Sequence, residues 1–157
     1  MPLDKIDAEI LRLLEEDSLR SFVEIAEKIG VTDGTIHQRI RKLKNRGVIE
    51  RFTIKLNYKR IGANSLAYLF MNVDPGFINS VSAEVSKIPD IMEVHEIHAH
   101  GDLLIKIRAS SQEEIRNIIV DKIRKIEGVV NIDLFLVYKI WKEESNIPIH
   151  QNLTARA

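Results

Sequence analysis

The chain has 157 residues, enough for one domain or two small ones, and 45% of them are apolar, which is ample for packed cores. Its 23 basic residues balance its 23 acidic ones, so net charge points to no polyanionic partner, and the lack of cysteine excludes disulfides, thiolate chemistry and the commonest structural zinc sites. No apolar run approaches the roughly 20 residues of a membrane span, and Met1 leads directly into a helix start without a secretory h-region, so a soluble cytoplasmic protein is expected.

The first half reads as three short helices. Leu3 before Asp4, with acids at Asp4 and Asp7, suits a helix start, and Ile6, Ile10, Leu13 and Leu14 form the apolar stripe of a helix that ends near Asp17. Ser21 and Glu24 make a capping box for a second helix over Ile25, Ala26 and Ile29, and Gly30 supplies its C-terminal stop. Thr32 can cap a third helix after a linkage of a few residues, and Gly47 ends it. Two helices joined so tightly cross steeply, as in a helix-turn-helix, with Ala26 allowing close approach and Val31 and Ile36 filling the small core.

The third helix carries the most informative pattern. Ile36, Ile40 and Leu43 lie at i, i+4, i+7 on one stripe, and Arg39, Arg41, Lys42, Lys44 and Arg46 surround it. From residue 35 to residue 60 there are nine Lys/Arg against Glu50 alone, a net charge of +8, so the balanced total hides a segregated basic patch. Phe52, Ile54 and Leu56 then alternate with Arg51, Thr53 and Lys55, the pattern of a strand with an apolar inner and a basic outer face, and a wing is expected there.

The second half repeats itself at a period of 38 residues. KIPDIMEV from Lys87 matches KIEGVVNI from Lys125, Phe77, Val81, Val85 and Ile88 fall on Ile115, Ile119, Ile123 and Ile126, and the strand-like Leu66–Val73 falls on Leu104–Ser111. Each copy reads strand, helix, strand, so two copies give βαββαβ, a ferredoxin-like sandwich with both helices on one sheet face. Leu134–Trp141 is apolar on both faces, and a sheet covered by helices on one side only leaves apolar surface for another subunit to bury. The expected fold class is therefore α+β, with a winged helix-turn-helix over residues 1–56, a linker over 57–65, the ferredoxin-like domain over 66–143 and a tail over 144–157.

A basic winged helix-turn-helix followed by a duplicated βαβ sheet resembles the Lrp/AsnC, or feast/famine, family of prokaryotic transcription regulators. LDKIDAEILRLLEED (Leu3–Asp17) is similar to that family's opening helix, VEIAEKIGVTDGTIHQRIRKLKNRGVIERF (Val23–Phe52) to its DNA-binding module, and GDLLIKI (Gly101–Ile107) to its ligand-domain hairpin. The resemblance implies dimers assembled into octamers or related rings, with double-stranded DNA as partner and amino acids as effectors at contacts between dimers. It places an effector around His98, Ala99, His100, Gly101 and Asp102, with Asp102 holding an ammonium group and backbone N–H groups near Gly101 taking a carboxylate. Two departures bear on that site. Ala99 stands where the family usually has glycine, the glycine having moved to 101, and Ile132 and Leu134 replace threonines common on the last strand, which favours an apolar or non-standard ligand over a polar amide.

On the helix-turn-helix, Thr32, Asp33, Thr35, His37 and Gln38 lie in the first turns of helix three, where side chains reach base edges, and Arg39, Arg41, Lys42 and the wing residue Arg51 are expected on phosphates. A Lys/Arg-rich helix is more often a solvated face, but the caps, tight turn and scarcity of acids argue together for DNA. His95, His98 and His100 invite a metal reading, since His98 and His100 would share one strand face, yet no Cys and no carboxylate joins them as a further ligand at ligand spacing, and surface or interface histidines are expected instead; no cofactor and no metal are expected. Asp102 beside Gly101 is also an ordinary hairpin pair. Two alternatives share parts of the pattern: an enzyme akin to the siroheme decarboxylases of this architecture, for which no nucleophile with a paired base is evident, and an effector-less architectural DNA-binding protein, which would bind without sequence preference. The expected function is a sequence-specific DNA-binding transcriptional regulator modulated by an amino acid or related effector, and not an enzyme.

Overall fold

The structure, a computed structural model, describes residues 3–98 and 101–144. The chain divides into two compact units, one ending at Lys55 and resuming at Lys142, the other spanning Leu56–Trp141.

The first unit contains three helices, α1 (Lys5–Glu16), α2 (Phe22–Ile29) and α3 (Asp33–Asn45). Each begins where a side chain can satisfy an orphan helical N–H: Asp4 accepts from the Asp7 N–H, Ser21 from that of Glu24, and Thr32 from that of Thr35. Glu24 returns a bond to the Ser21 N–H at 2.8 Å, completing the capping box. Gly30 ends α2 at φ +79°, a left-handed conformation that costs any residue with a Cβ, and this permits the abrupt turn into Thr32. Ile10, Leu13, Ile25, Ala26, Ile36, Ile40 and Leu43 form one small core, with Val31 packed against it.

The expected wing is absent as a strand. Residues 50–57 form neither helix nor ladder among the described residues, because no second strand lies beside them, and Phe52, Ile54 and Leu56 are exposed. Lys55 is held by the Glu143 carbonyl at 2.9 Å and the Glu144 carboxylate at 2.6 Å.

The second unit realises the 38-residue repeat: β1 (Ser65–Val73), α4 (Ile78–Val85), β2 (Ile91–Glu96), β3 (Leu103–Ala109), α5 (Gln112–Asp121), a 3-10 turn (Ile123–Lys125) and β4 (Val129–Leu136). The sheet order is β2-β3-β1-β4, all neighbours antiparallel, which is the ferredoxin-like arrangement. Leu69 pairs with Ile105 on one side and Leu134 on the other, and the helix-facing residues Ala67, Leu69, Met71, Leu103, Ile105 and Ile107 pack on Val81, Val85, Ile115 and Ile119. The apolar run Leu134–Trp141 is strand only as far as Leu136; the Val137 N–H makes a last bond to the Leu66 carbonyl, and Tyr138 and Trp141 are exposed. The ladder with β1 ends there, with Leu136 opposite Ala67.

Candidate nucleic-acid interface and effector region

In α3, 3.6 residues per turn carry Ile36, Ile40 and Leu43 to the core, so the opposite stripe is Gly34, Gln38, Arg41 and Asn45 at i, i+4, i+7, i+11. All four are exposed, with His37, Lys42 and Lys44 on the flanks. Arg41 and Lys42 make no ion pair within the described residues, so their charge faces outward uncompensated. Asn45, a side chain able to contact a base edge by paired hydrogen bonds, escaped the sequence reading, which concentrated on the first turns of the helix.

The other expected contacts are placed differently. The Thr32 and Thr35 hydroxyls lie 2.8 Å apart, and Thr32 also accepts from the Thr35 N–H at 3.2 Å, so both serve the helix cap. Asp33 is exposed in the first turn, where a carboxylate complements the positive end of the helix dipole. The His37 ring stands edge-on to Phe22 of α2, centroids 4.5 Å apart, which fixes its direction. Arg51 is exposed on the extended segment, not on a strand.

Arg39, expected on a phosphate, is engaged by carboxylates of the chain itself. Only three residues from Ile36 and one from Ile40, it leans toward the core side, where its guanidinium engages Asp4 and reaches the Asp7 carboxylate at 3.1 Å. Asp7 is only 3% exposed, and Arg39 is the cation that compensates it. Partial burial pushes the Asp4 carboxyl up, but the Asp7 N–H and the Arg39 guanidinium outweigh it and hold the pKa below the ordinary carboxylate range. The same bonds raise Arg39. The ion pair thus ties α1 to α3.

In the second unit the hairpin between β2 and β3 carries the expected effector residues. Ala99 and His100 lie outside the described residues; His98 is exposed, and Gly101 is buried. A Cβ on Gly101 would stand 3.0 Å from the Met71 carbonyl oxygen, so close passage of the hairpin along β1 accounts for that glycine. Asp102 donates its N–H to the Met71 carbonyl at 2.9 Å and accepts the Val73 N–H at 2.8 Å through Oδ2, while its other carboxylate oxygen makes no hydrogen bond to a described residue. One oxygen is therefore committed to closing the end of β1.

Ile132 and Leu134 do not join Asp102 within one chain. Ile132 pairs with Met71 from the β4 side of β1, whereas Asp102 meets Met71 from the β3 side. Ile132 and Leu134 instead line a shallow groove beside α5 with Arg116, Ile119, Val120 and Arg124. Within one chain β1 therefore separates Ile132 and Leu134 from the hairpin.

The sheet face away from the helices has an aromatic half and a polar half. Phe70 and Phe135 meet at 5.1 Å in a T-shaped pair. Nearby on that face, Glu93 bridges His95 and the largely buried Lys106, each at 3.2 Å. Its hydrogen bond with His95, and then Lys106, lower the Glu93 pKa against the opposing effect of burial. The Arg108 guanidinium stacks over Tyr58 at 4.4 Å. Among the described residues, no group of three metal-ligating side chains comes together and no helix is long and apolar enough to cross a membrane.

Comparison with known proteins gives two domain matches in the same order. Residues 3–44 match the AsnC-type helix-turn-helix domain, and residues 66–147 match the Lrp/AsnC ligand binding domain. An HTH-type transcriptional regulator of Pyrococcus abyssi, PYRAB16920, is 38% identical over 145 residues, 90% of this chain and 97% of that protein. The HTH-type transcriptional regulator FL11 of Pyrococcus horikoshii is 36% identical over 149 residues, 95% of this chain and 98% of that one. Among solved structures, the transcriptional regulator NMB0573 of Neisseria meningitidis in complex with L-Met shares the fold, with a TM-score of 0.87 at 19% identity over 96% of this chain and 99% of that one.

Proposed function

From the premise that this chain belongs to the Lrp/AsnC family of transcriptional regulators, we propose how its residues divide the work of an effector-modulated DNA-binding regulator. Gln38 and Asn45 read base edges in the major groove, and Arg41 and Lys42 neutralise phosphates on either side. The observation that carries this is the stripe of α3 opposite its core, where polar side chains and cations that make no ion pair among the described residues share one exposed face. Arg39 acts through Asp4 and Asp7, fixing the direction of α3. The reading assigns the protein binding and no reaction.

The test is a selection of genomic fragments with the full chain, followed by binding to a recovered duplex and to a mixed-sequence duplex across a salt series. Recovery of a common sequence, with affinity falling steeply with salt, is expected. Binding without sequence preference would favour the architectural alternative, and absence of binding would overturn the reading.

We further propose a homodimer, with higher assembly, formed over the sheet face that bears Phe70 and Phe135, since among the described residues both helices of the sheet unit pack on its other face. Light scattering should report at least a dimer at micromolar concentration, and a monomer there would refute it. For the effector, the hairpin at His98–Asp102 is the proposed site, an amino acid its ligand, and the unbonded oxygen of Asp102 the acceptor for the ammonium group. The L-Met complex of NMB0573 supports an amino acid for this fold. Stabilisation by one of the twenty amino acids at millimolar concentration, abolished in Asp102→Ala relative to that variant's own baseline, is the expected outcome. No stabilisation by any of them would remove the effector proposal.

A further inference from the structure

Gly34 is the second residue of α3, and nothing inside the chain requires a glycine there. Its φ lies outside the left-handed region, unlike that of Gly30. A Cβ built on it would meet only the Thr32 hydroxyl at 4.0 Å, ordinary contact, whereas one on Gly128 would collide with Phe77 at 2.4 Å. The helix cap is supplied by Thr32. A glycine in a helix costs stability relative to alanine because it gives up more backbone freedom on folding, so an internally unneeded one points outward for its cause.

Outward is where the position faces. Gly34 heads the stripe Gly34, Gln38, Arg41, Asn45, opposite Ile36, Ile40 and Leu43. A bare backbone is the means by which a chain comes close to a ligand, and the N-terminal part of a recognition helix is the part that enters the groove. We infer that Gly34 is a specificity-determining residue: the missing side chain is the clearance that lets the first turn of α3 seat against base edges, bringing Gln38 within reach of them. Any side chain there protrudes about 1.5 Å or more from the backbone and lifts that turn away. Contacts to phosphates tolerate such a shift better than contacts to base edges, because they depend less on angle and depth.

The inference rests on the DNA-binding reading, and the experiment separates the two. The full chain and its Gly34→Ala, Gly34→Leu and Arg41→Ala variants are measured by fluorescence anisotropy on the selected duplex and on a mixed-sequence duplex, with thermal unfolding alongside. Gly34→Ala is expected to raise the Tm by roughly 1–3 °C while weakening binding to the selected duplex. Gly34→Leu is expected to weaken it at least tenfold, with mixed-sequence affinity held within threefold. Gly34→Leu binding the selected duplex within threefold of the unsubstituted chain, while Arg41→Ala loses affinity, overturns the inference alone. A lower Tm in Gly34→Ala also overturns it, by returning the glycine to an internal role. If neither Gly34→Leu nor Arg41→Ala changes binding, the reading of α3 as the DNA contact falls as well.

Discussion

The two units place charge and apolar surface in opposite ways. In the helical unit Arg39 of α3 compensates the buried Asp7, and Arg41 and Lys42, on the face away from the core, make no ion pair among the described residues. In the sheet unit the cations Lys106 and Arg108 are themselves largely buried on the outer sheet face, and on that same face Phe135 is exposed against the half-buried Phe70. Function and stability are therefore separable on α3 and entangled on the sheet. A helix has one face for each, whereas every strand of a sheet serves both faces at once.

Substitutions in the two cores and on α3 put this contrast to the test. Leu69→Ala, at the centre of the sheet core, is expected to cost about 2–5 kcal/mol, followed as loss of the sheet unit's transition in urea. Arg39→Met should cost the helical unit about 2–4 kcal/mol by leaving Asp7 uncompensated, and adding Asp7→Asn should restore part of it. By contrast, Arg41→Met should change stability by less than about 0.5 kcal/mol. An equal loss from both arginines would erase the distinction drawn between them.

On DNA the same comparison predicts the reverse order. Gln38→Ala should alter preference among base substitutions by about 1–3 kcal/mol. Arg41→Ala or Lys42→Ala should weaken binding nearly equally across sequences and reduce the slope of log affinity against log salt by about 1 each. Arg39→Met should leave that slope unchanged, since its charge is already neutralised within the protein. The smallest effect concerns acid. Because the folded-state pKa of Asp4 is lowered, its contribution to stability is complete above the unfolded carboxylate value near 3.9 and disappears as pH falls through the folded value. Asp4→Asn should therefore unfold with a shallower dependence on pH below about 4 than the unsubstituted chain, measured by thermal unfolding in a pH series.

Much of the architecture was legible because it is local. Asp4, Ser21 and Thr32 cap the helices that follow them, and Gly30 closes α2, since these bonds span only a few residues. The repeat was legible for another reason: a 38-residue period brings β1 onto β3 and β2 onto β4 without any knowledge of how they pair. Less of the candidate site could be read. Its core stripe and outward cations follow from helical periodicity, but Asn45 was overlooked although the same periodicity places it.

From the sequence alone follow the three helices of the first unit, the strand–helix–strand order of the repeat, the burial of Ile36, Ile40 and Leu43 by α3 and the basic face opposite them, because caps and periodicity act over one or two turns. Tertiary structure decided what each remaining group meets. Arg39 meets Asp7, 32 residues away in the chain, a pairing that helical periodicity does not indicate. Asp102 gave one oxygen to Val73 and Gly101 passed against Met71, pairings of 29 and 30 residues' separation that no local pattern encodes. Residues 51–56 kept a strand's alternation without becoming one, since a strand exists only where a neighbour supplies the other half of its hydrogen bonds.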